Sequence, residues 1–302
     1  MRNLITLKDV SPGDIEQIYQ LTRDLKEKLL RGVREPVLPG RVLALLFEKQ
    51  SLRTRVSFEA GMSHLGGSSI MLGDDVGFGS RESVADFARV LGGMVDVIVA
   101  RSKSHLTVEQ LAEHAGCPVI NGLTDQSHPC QALADMYTLR ERYGKLKGKT
   151  LTWIGDGNNV AVSLARACHH LGVRFVVCTP PGYQLDSQIA NELAEPVAGF
   201  ELVETTDPQF AVEEASAVYT DVWASMGQES EREKRKKDFA NYQVNGELMS
   251  MAPGDACFLH CLPARRGEEV TDEVIDSTSS VVLQQANNRM HVQKGILSWL
   301  LG

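Results

Sequence analysis

The sequence predicts an α/β protein of two domains, each a parallel sheet flanked by helices, with the C-terminal helix returning to the first domain. Three observations carry this. Short apolar runs alternate with helical patterns along the whole chain, as strands and crossover helices do in parallel sheets. A Lys/Gly-rich stretch, Tyr143 to Lys149, interrupts the alternation once, after which it restarts. The length of 302 residues exceeds what one small core serves and fits two. The expected domains are therefore 1–143 and 144–286, with 287–302 packing back on the first.

In the first half, Ser11-Pro12 opens a helix with a cap and an N1 proline. Val42–Phe47 reads as a buried strand. A helix follows from about Arg53 and stops at Gly66-Gly67, a C-terminal signal. Next come a strand at Ser69–Leu72, a helix from Ser83 and a strand at Asp96–Ala100. Thr107 with Gln110 reads as the capping box of another helix. Strand Pro118–Asn121 precedes a helix whose first residue is Pro129. In the second half the strands are Thr150–Ile154, Arg174–Cys178, Glu201–Val203, Ala217–Thr220 and Ala256–His260. An amphipathic helix closes the chain from about Asn287 to Leu301. The charged run Glu229–Asp238 reads as a solvated face.

Composition limits the function. The net charge of −8 argues against nucleic acid or an anionic membrane as partner, so an anion site must be a local Arg cluster. Val42–Phe47 is too short to span a bilayer, and the N-terminus lacks the apolar core of a signal peptide. The 6 cysteines include no CxxC pair, which points to free thiols in a reducing cytoplasm.

Ligands of parallel α/β sheets bind beyond the carboxyl ends of the strands, and the residues there are polar. After the first strand, Ser51-Leu52-Arg53-Thr54-Arg55 enters a helix. Backbone N–H groups, two hydroxyls and two guanidinium forks would suit an anion; a capped helix with exposed arginines is the plainer alternative. Arg101 adds a cation after the third strand. His128-Pro129-Cys130-Gln131 puts His128 at a helix N-cap, as a carbonyl donor or as a cap with no ligand. In the second half, Gly155-Asp156-Gly157-Asn158-Asn159 partly matches a dinucleotide turn. Val160 stands where the third glycine belongs, and no acidic residue follows Arg174–Cys178, so an NAD-dependent dehydrogenase is disfavoured. Paired Asn side chains suit an amino-acid head instead. Asp221-Val222-Trp223-Ala224-Ser225-Met226-Gly227 offers a carboxylate for an ammonium and a loop of backbone donors. His260-Cys261-Leu262-Pro263 leaves three readings open: thiol nucleophile, metal ligand or buried structural cysteine. No His/Cys/Asp/Glu set has the spacing of a zinc site, so no metal and no cofactor is expected.

Phe47 to Arg55, His128 to Gln131, Asp221 to Gly227 and His260 to Pro263 resemble the signatures of the aspartate/ornithine carbamoyltransferase family, a likeness covering essentially the whole chain. The Ser-Met-Gly loop and the Gly-Asp-Gly-Asn-Asn turn resemble its ornithine branch. The resemblance implies that Ser51, Leu52 through its backbone, Arg53, Thr54, Arg101, His128, Gln131 and Arg289 contact carbamoyl phosphate. It implies that Asn159, Asp221, Ser225 and Met226 hold L-ornithine, that Cys261 and Leu262 face the reacting centre, and that Arg101, His128 and Cys261 act in catalysis. It also implies a homotrimer with shared active sites. Three positions depart from the pattern: Gln50 replaces a frequent Pro, Leu52 a frequent Thr, and Gly77 a Gln that reaches the neighbouring subunit. Acetylornithine, succinylornithine or putrescine as the amine, and a non-catalytic ligand-binding paralogue, are the rival readings. Either direction, arginine synthesis or degradation, is compatible with the sequence.

Overall fold

A computed structural model describes residues 1–225 and 227–302. It divides into two compact units, Met1–Tyr137 with Asn287–Gly302, and Thr138–Ala286. The elements of the first half are α1 (Pro12–Leu30), β1 (Val42–Phe47), α2 (Leu52–His64), β2 (Ser68–Leu72), α3 (Val84–Gly92), β3 (Val97–Arg101), α4 (His105–His114), β4 (Val119–Leu123) and α5 (Pro129–Tyr143). The second half holds β5 (Thr150–Ile154), α6 (Asn159–Leu171), β6 (Arg174–Cys178), α7 (Ser187–Glu192), β7 (Glu201–Thr205), α8 (Pro208–Val212), β8 (Ala217–Thr220), α9 (Arg232–Asp238), α10 (Gly246–Met251), β9 (Cys257–His260), α11 (Asp272–Ile275) and α12 (Val282–Leu301). The unit boundaries fall inside α5 and α12.

Both sheets are wholly parallel, in the orders β2-β1-β3-β4 and β7-β6-β5-β8-β9. Strands buried on both faces need continuous apolar runs rather than alternation. β1, β3 and β5 supply them: Leu43, Leu45, Val97, Val99, Leu151 and Trp153 are all at most 1% exposed. In each sheet the chain winds outward in both directions from a central pair. The switch point lies between β1 and β3 in the first sheet and between β5 and β8 in the second. Such a point leaves a crevice at the carboxyl edge, because the flanking crossovers run to opposite faces.

Helix boundaries follow local chemistry where a cap is local. Ser11 accepts from Asp14 N while Asp14 accepts from Ser11 N, so α1 starts at Pro12 as predicted. The predicted capping box at Thr107 does not form. α4 begins three residues earlier, at His105 with Ser104 as its N-cap, because the N–H of His105 donates to Asp125 at 2.8 Å and the His105 ring bonds Thr124. A partner about twenty residues away outcompeted a local signal. The last helix likewise begins at Val282, ahead of the predicted Asn287. Its final stretch belongs to the first unit and packs closely there. A Cβ on Gly295 would lie 2.2 Å from Thr22 Oγ1 of α1, so only glycine lets the two helices approach this far. Arg289 and Asn288 also bond to Thr54 and Lys26 of the same unit.

Candidate active site

The first unit gathers cations at its switch point. β1 ends in register with Arg101, the last residue of β3. Ser51 caps α2, its Oγ accepting from Thr54 N at 3.3 Å and donating to Thr54 Oγ1 at 3.0 Å. Arg289, arriving on α12, donates to the same Thr54 Oγ1 at 2.7 Å. With two donors on its oxygen, the fully buried Thr54 hydroxyl has its own proton left to give. The Ser51 hydroxyl is engaged within the cap. Leu52 is 75% exposed. Arg53 is half-buried, whereas Arg55 points outward and pairs with Glu59 one turn on. The sequence offers Arg55 as a second fork for the anion; helical geometry puts it on the outer face.

His128 precedes α5 and is 4% exposed. Burial, followed by the charges of Arg289, Arg101 and Arg53, holds its imidazole well below the ordinary histidine value of 6.5. It is therefore neutral at physiological pH and presents one N–H donor among cations, without adding a fourth positive charge. The loop before it is fixed by buried Asn121, which donates to Ile5 O, Thr124 Oγ1 and Ser127 O. Gln131, one turn into α5, gives Nε2 to Asp135 at 2.8 Å. A carboxylate only accepts, so this bond fixes the amide orientation. Gln131 Oε1 is buried without a hydrogen-bond partner among the described residues.

The His128 shift has a consequence for stability. The unfolded chain takes up this proton first as pH falls, so the contribution is complete above about pH 6.5 and declines below it. His128→Gln should therefore lose less stability than the parent between roughly pH 7 and pH 5, read as the fall in urea midpoint. Equal falls in the two proteins would contradict a depressed His128.

The second unit places a carboxylate at its own switch point. Thr220 donates to Ile154 O across β8 and β5, so Gly155 and Asp221 leave the sheet side by side. Asp221 Oδ1 accepts from Val222 N at 2.8 Å and from Cys261 Sγ at 3.1 Å. Its Oδ2 accepts from Asn158 Nδ2 at 3.3 Å. A carboxylate has about four acceptor positions, which leaves Oδ2 room for a cation. Asn158 is the N-cap of α6, its Oδ1 accepting from Val160 N and Ala161 N. Asn159 is the first helical residue, so the two asparagines have separate tasks. Gly157 packs so tightly that a Cβ would sit 2.5 Å from Gln184 O. Ser225 N donates to Gln228 Oε1 at 3.0 Å. Met226 lies outside the described residues.

Cys261 and Leu262 follow β9. Leu262 holds φ at +58°, uncommon for a branched residue, and its N–H donates to His260 Nδ1 at 2.8 Å. The other ring nitrogen, Nε2, faces the fully buried Glu269 at 3.0 Å. Asp221, His260 and Cys261 also bring one potential ligand atom each to within 4.8 Å of one another, a grouping that sequence spacing did not reveal. Both nitrogens of His260 already have partners, so a metal would have to displace one of them. Glu269 and Gln285, which accepts from His260 N, escape sequence reasoning, and the sequence does not separate the cap role of Asn158 from the task of Asn159. Only the Asn158 cap leaves a local signal; Glu269 and Gln285 meet His260 through the fold alone.

Two family models match. "Aspartate/ornithine carbamoyltransferase, carbamoyl-P binding domain" covers residues 2–141, and "Aspartate/ornithine carbamoyltransferase, Asp/Orn binding domain" covers 147–300. An ornithine carbamoyltransferase of Carboxydothermus hydrogenoformans is 49% identical over 100% of this chain and 98% of its own. That of Bacillus subtilis is 49% identical over 99% and 94%. The solved ornithine carbamoyltransferase of Pyrococcus furiosus superposes with a TM-score of 0.95 at 48% identity, covering 100% of this chain and 97% of its own.

Proposed function

The chain belongs to the aspartate/ornithine carbamoyltransferase family, and we infer from its two switch points that it transfers the carbamoyl group of carbamoyl phosphate to the δ-amine of L-ornithine, giving L-citrulline and phosphate. The observation that carries this is the chemistry of two unlike sites, one in each unit. One offers Arg53, Arg101 and Arg289 around a neutral His128. The other offers the carboxylate of Asp221, held by Cys261 and Asn158.

Each residue then has a task. The α2 N-terminus, through Ser51, Leu52 and Arg53, takes the phosphate. Thr54, Arg101 and His128 donate to the carbamoyl oxygen, where negative charge grows as the amine attacks the carbonyl carbon. Arg289 bonds Thr54 and adds charge beside the phosphate. Gln131 Oε1, an acceptor, suits the carbamoyl amino group. Asp221 holds the α-ammonium, and Asn159, Ser225 and Met226 orient the α-carboxylate. The δ-amine attacks, the carbon–oxygen bond to phosphate breaks, and the surplus proton on the amine passes to the departing phosphate. Cys261 donates to Asp221, so its thiol orients that carboxylate, while the Leu262 backbone lines the same turn. Desolvation of the bound substrate lowers the amine's pKa from about 10.4 toward neutrality, supplying the nucleophile.

The working form we propose is a cytoplasmic homotrimer acting in arginine synthesis. Six cysteines, none in a disulfide, support a reducing compartment. A relative from Pyrococcus furiosus, 48% identical, is named an anabolic ornithine carbamoyltransferase. Among the described residues no helix is long and apolar enough to cross a membrane.

Citrulline formation from carbamoyl phosphate and a panel of amines tests the reading. Putrescine lacks the α-carboxylate and would leave its donors unpaired; N-acetylornithine cannot give Asp221 a charge pair. L-ornithine should exceed both by about 10³-fold or more in kcat/KM, the discrimination reached when buried polar groups lose their partners. Comparable turnover of N-acetylornithine would overturn the assignment of Asp221, and comparable turnover of putrescine that of the α-carboxylate donors.

A further inference from the structure

Arg235 lies in the run that the sequence presents as a solvated face, yet it is 6% exposed. Its Nη1 donates to Asp156 Oδ2 at 2.7 Å and to Trp223 O at 2.9 Å. Its Nε donates to Glu231 Oε2 at 2.9 Å, and the guanidinium carbon stands 5.0 Å from the centre of the Tyr183 ring. Asp156 belongs to the β5–α6 turn that carries Asn158 and Asn159. Trp223 lies midway between Asp221 and Ser225. One buried cation thus ties together the two loops that offer polar groups at the second switch point.

We propose that Arg235 is a positioning residue for the amino-acid substrate, fixing the Asp156–Asn159 turn and the Asp221–Ser225 loop in mutual register. It touches neither substrate. The inference rests on the ornithine reading above and deepens it. Only a planar fork serves here: three acceptors in different directions share one guanidinium, which a lysine ammonium on the same stem cannot span. Burial pushes the Asp156 carboxyl above its usual range against the pull of Arg235, so the pair is a desolvated one and each member depends on the other.

The test is steady-state citrulline formation with both substrates varied, on wild type, Arg235→Met, Arg235→Lys and the double variant Arg235→Met with Asp156→Asn. The double variant removes the orphaned carboxylate and so separates positioning from loss of folding. We expect the ornithine KM to rise about ten-fold or more in Arg235→Met, and to stay raised in the double variant as its melting temperature recovers. The carbamoyl phosphate KM should change less than about two-fold in every variant, and Arg235→Lys should not restore the ornithine KM. A normal ornithine KM in the double variant would overturn the proposal, since the effect would then belong to the orphaned charge. So would a fall in kcat with both KM values unchanged. A wild type that forms no citrulline would instead refute the ornithine reading itself.

Discussion

Arg53→Ala should lower kcat/KM for carbamoyl phosphate by about 10²- to 10³-fold, on the order of 3–4 kcal/mol of transition-state stabilisation. The magnitude follows from position. Arg53 stands in the first turn of α2, where the helix dipole and free backbone N–H groups already favour an anion. The phosphate gains negative charge as its bond to the carbamoyl carbon breaks, so a contact to it strengthens along the reaction. Arg53 also contributes to the field that keeps His128 neutral, although burial is the larger cause. Arg55→Ala is the internal control. Arg55 lies two residues away on the same helix but faces outward against Glu59, and its loss should leave kinetics within about two-fold. Steady-state kinetics with thermal melts on both variants would settle the matter. Unchanged kinetics in a folded Arg53→Ala protein, or a loss in Arg55→Ala equal to that in Arg53→Ala, would mean that the wrong guanidinium had been assigned.

The contrast between these two arginines illustrates what the sequence encodes locally and what it does not. Strands β1, β5, β6 and β8 lie within the bounds their apolar runs predict, because a strand buried on both faces writes itself as an uninterrupted apolar string. The candidate loops were legible for a related reason: each follows such a string, and polar residues packed directly after a strand end have few roles other than caps or ligands. Facing direction was less legible. Arg53 and Arg55 have the same chemistry and differ only in helical phase, which depends on where α2 begins. Arg235 shows the same limit from the other side. In a run containing Glu229, Glu231, Glu233, Lys234 and Lys236, no local feature marks a cation that turns inward, since its partners Asp156 and Trp223 arrive from distant loops. The α4 start differs for this reason too, Asp125 being supplied by the fold. His260 is the extreme case. Its tautomer is set by Leu262 N on one side and Glu269 on the other, and nothing in His260-Cys261-Leu262-Pro263 foretells Glu269.

Asp221→Asn should impair ornithine use by about 10²-fold or more in kcat/KM while leaving carbamoyl phosphate binding to the free protein nearly unchanged. Two losses combine. The amide has no charge to offer the α-ammonium, which forfeits a charge-assisted bond of roughly 1.5–3 kcal/mol. The new amide nitrogen also meets a donor. Asn158 gives Nδ2 to Asp221 Oδ2, and Asn158 cannot simply rotate its amide, because its Oδ1 holds the first N–H groups of α6. If the substituted amide turned the other way, its nitrogen would face Val222 N, which donates to Oδ1 of the native carboxylate. Either orientation sets donor against donor, so the loop that carries Ser225 loses an anchor as well as a charge. The residues proposed for carbamoyl phosphate, Ser51 to Thr54, Arg101, His128, Gln131 and Arg289, belong to the first unit and Asp221 to the second, so their geometry should persist. Titration calorimetry of carbamoyl phosphate on the variant, beside citrulline kinetics with ornithine varied, reads the two effects separately. Retained calorimetric affinity with about a hundred-fold kinetic loss is the expected pair of results. Lost affinity for carbamoyl phosphate, or ornithine kinetics within about two-fold of wild type, would mean that the carboxylate at the second switch point serves a different substrate from the one assigned to it.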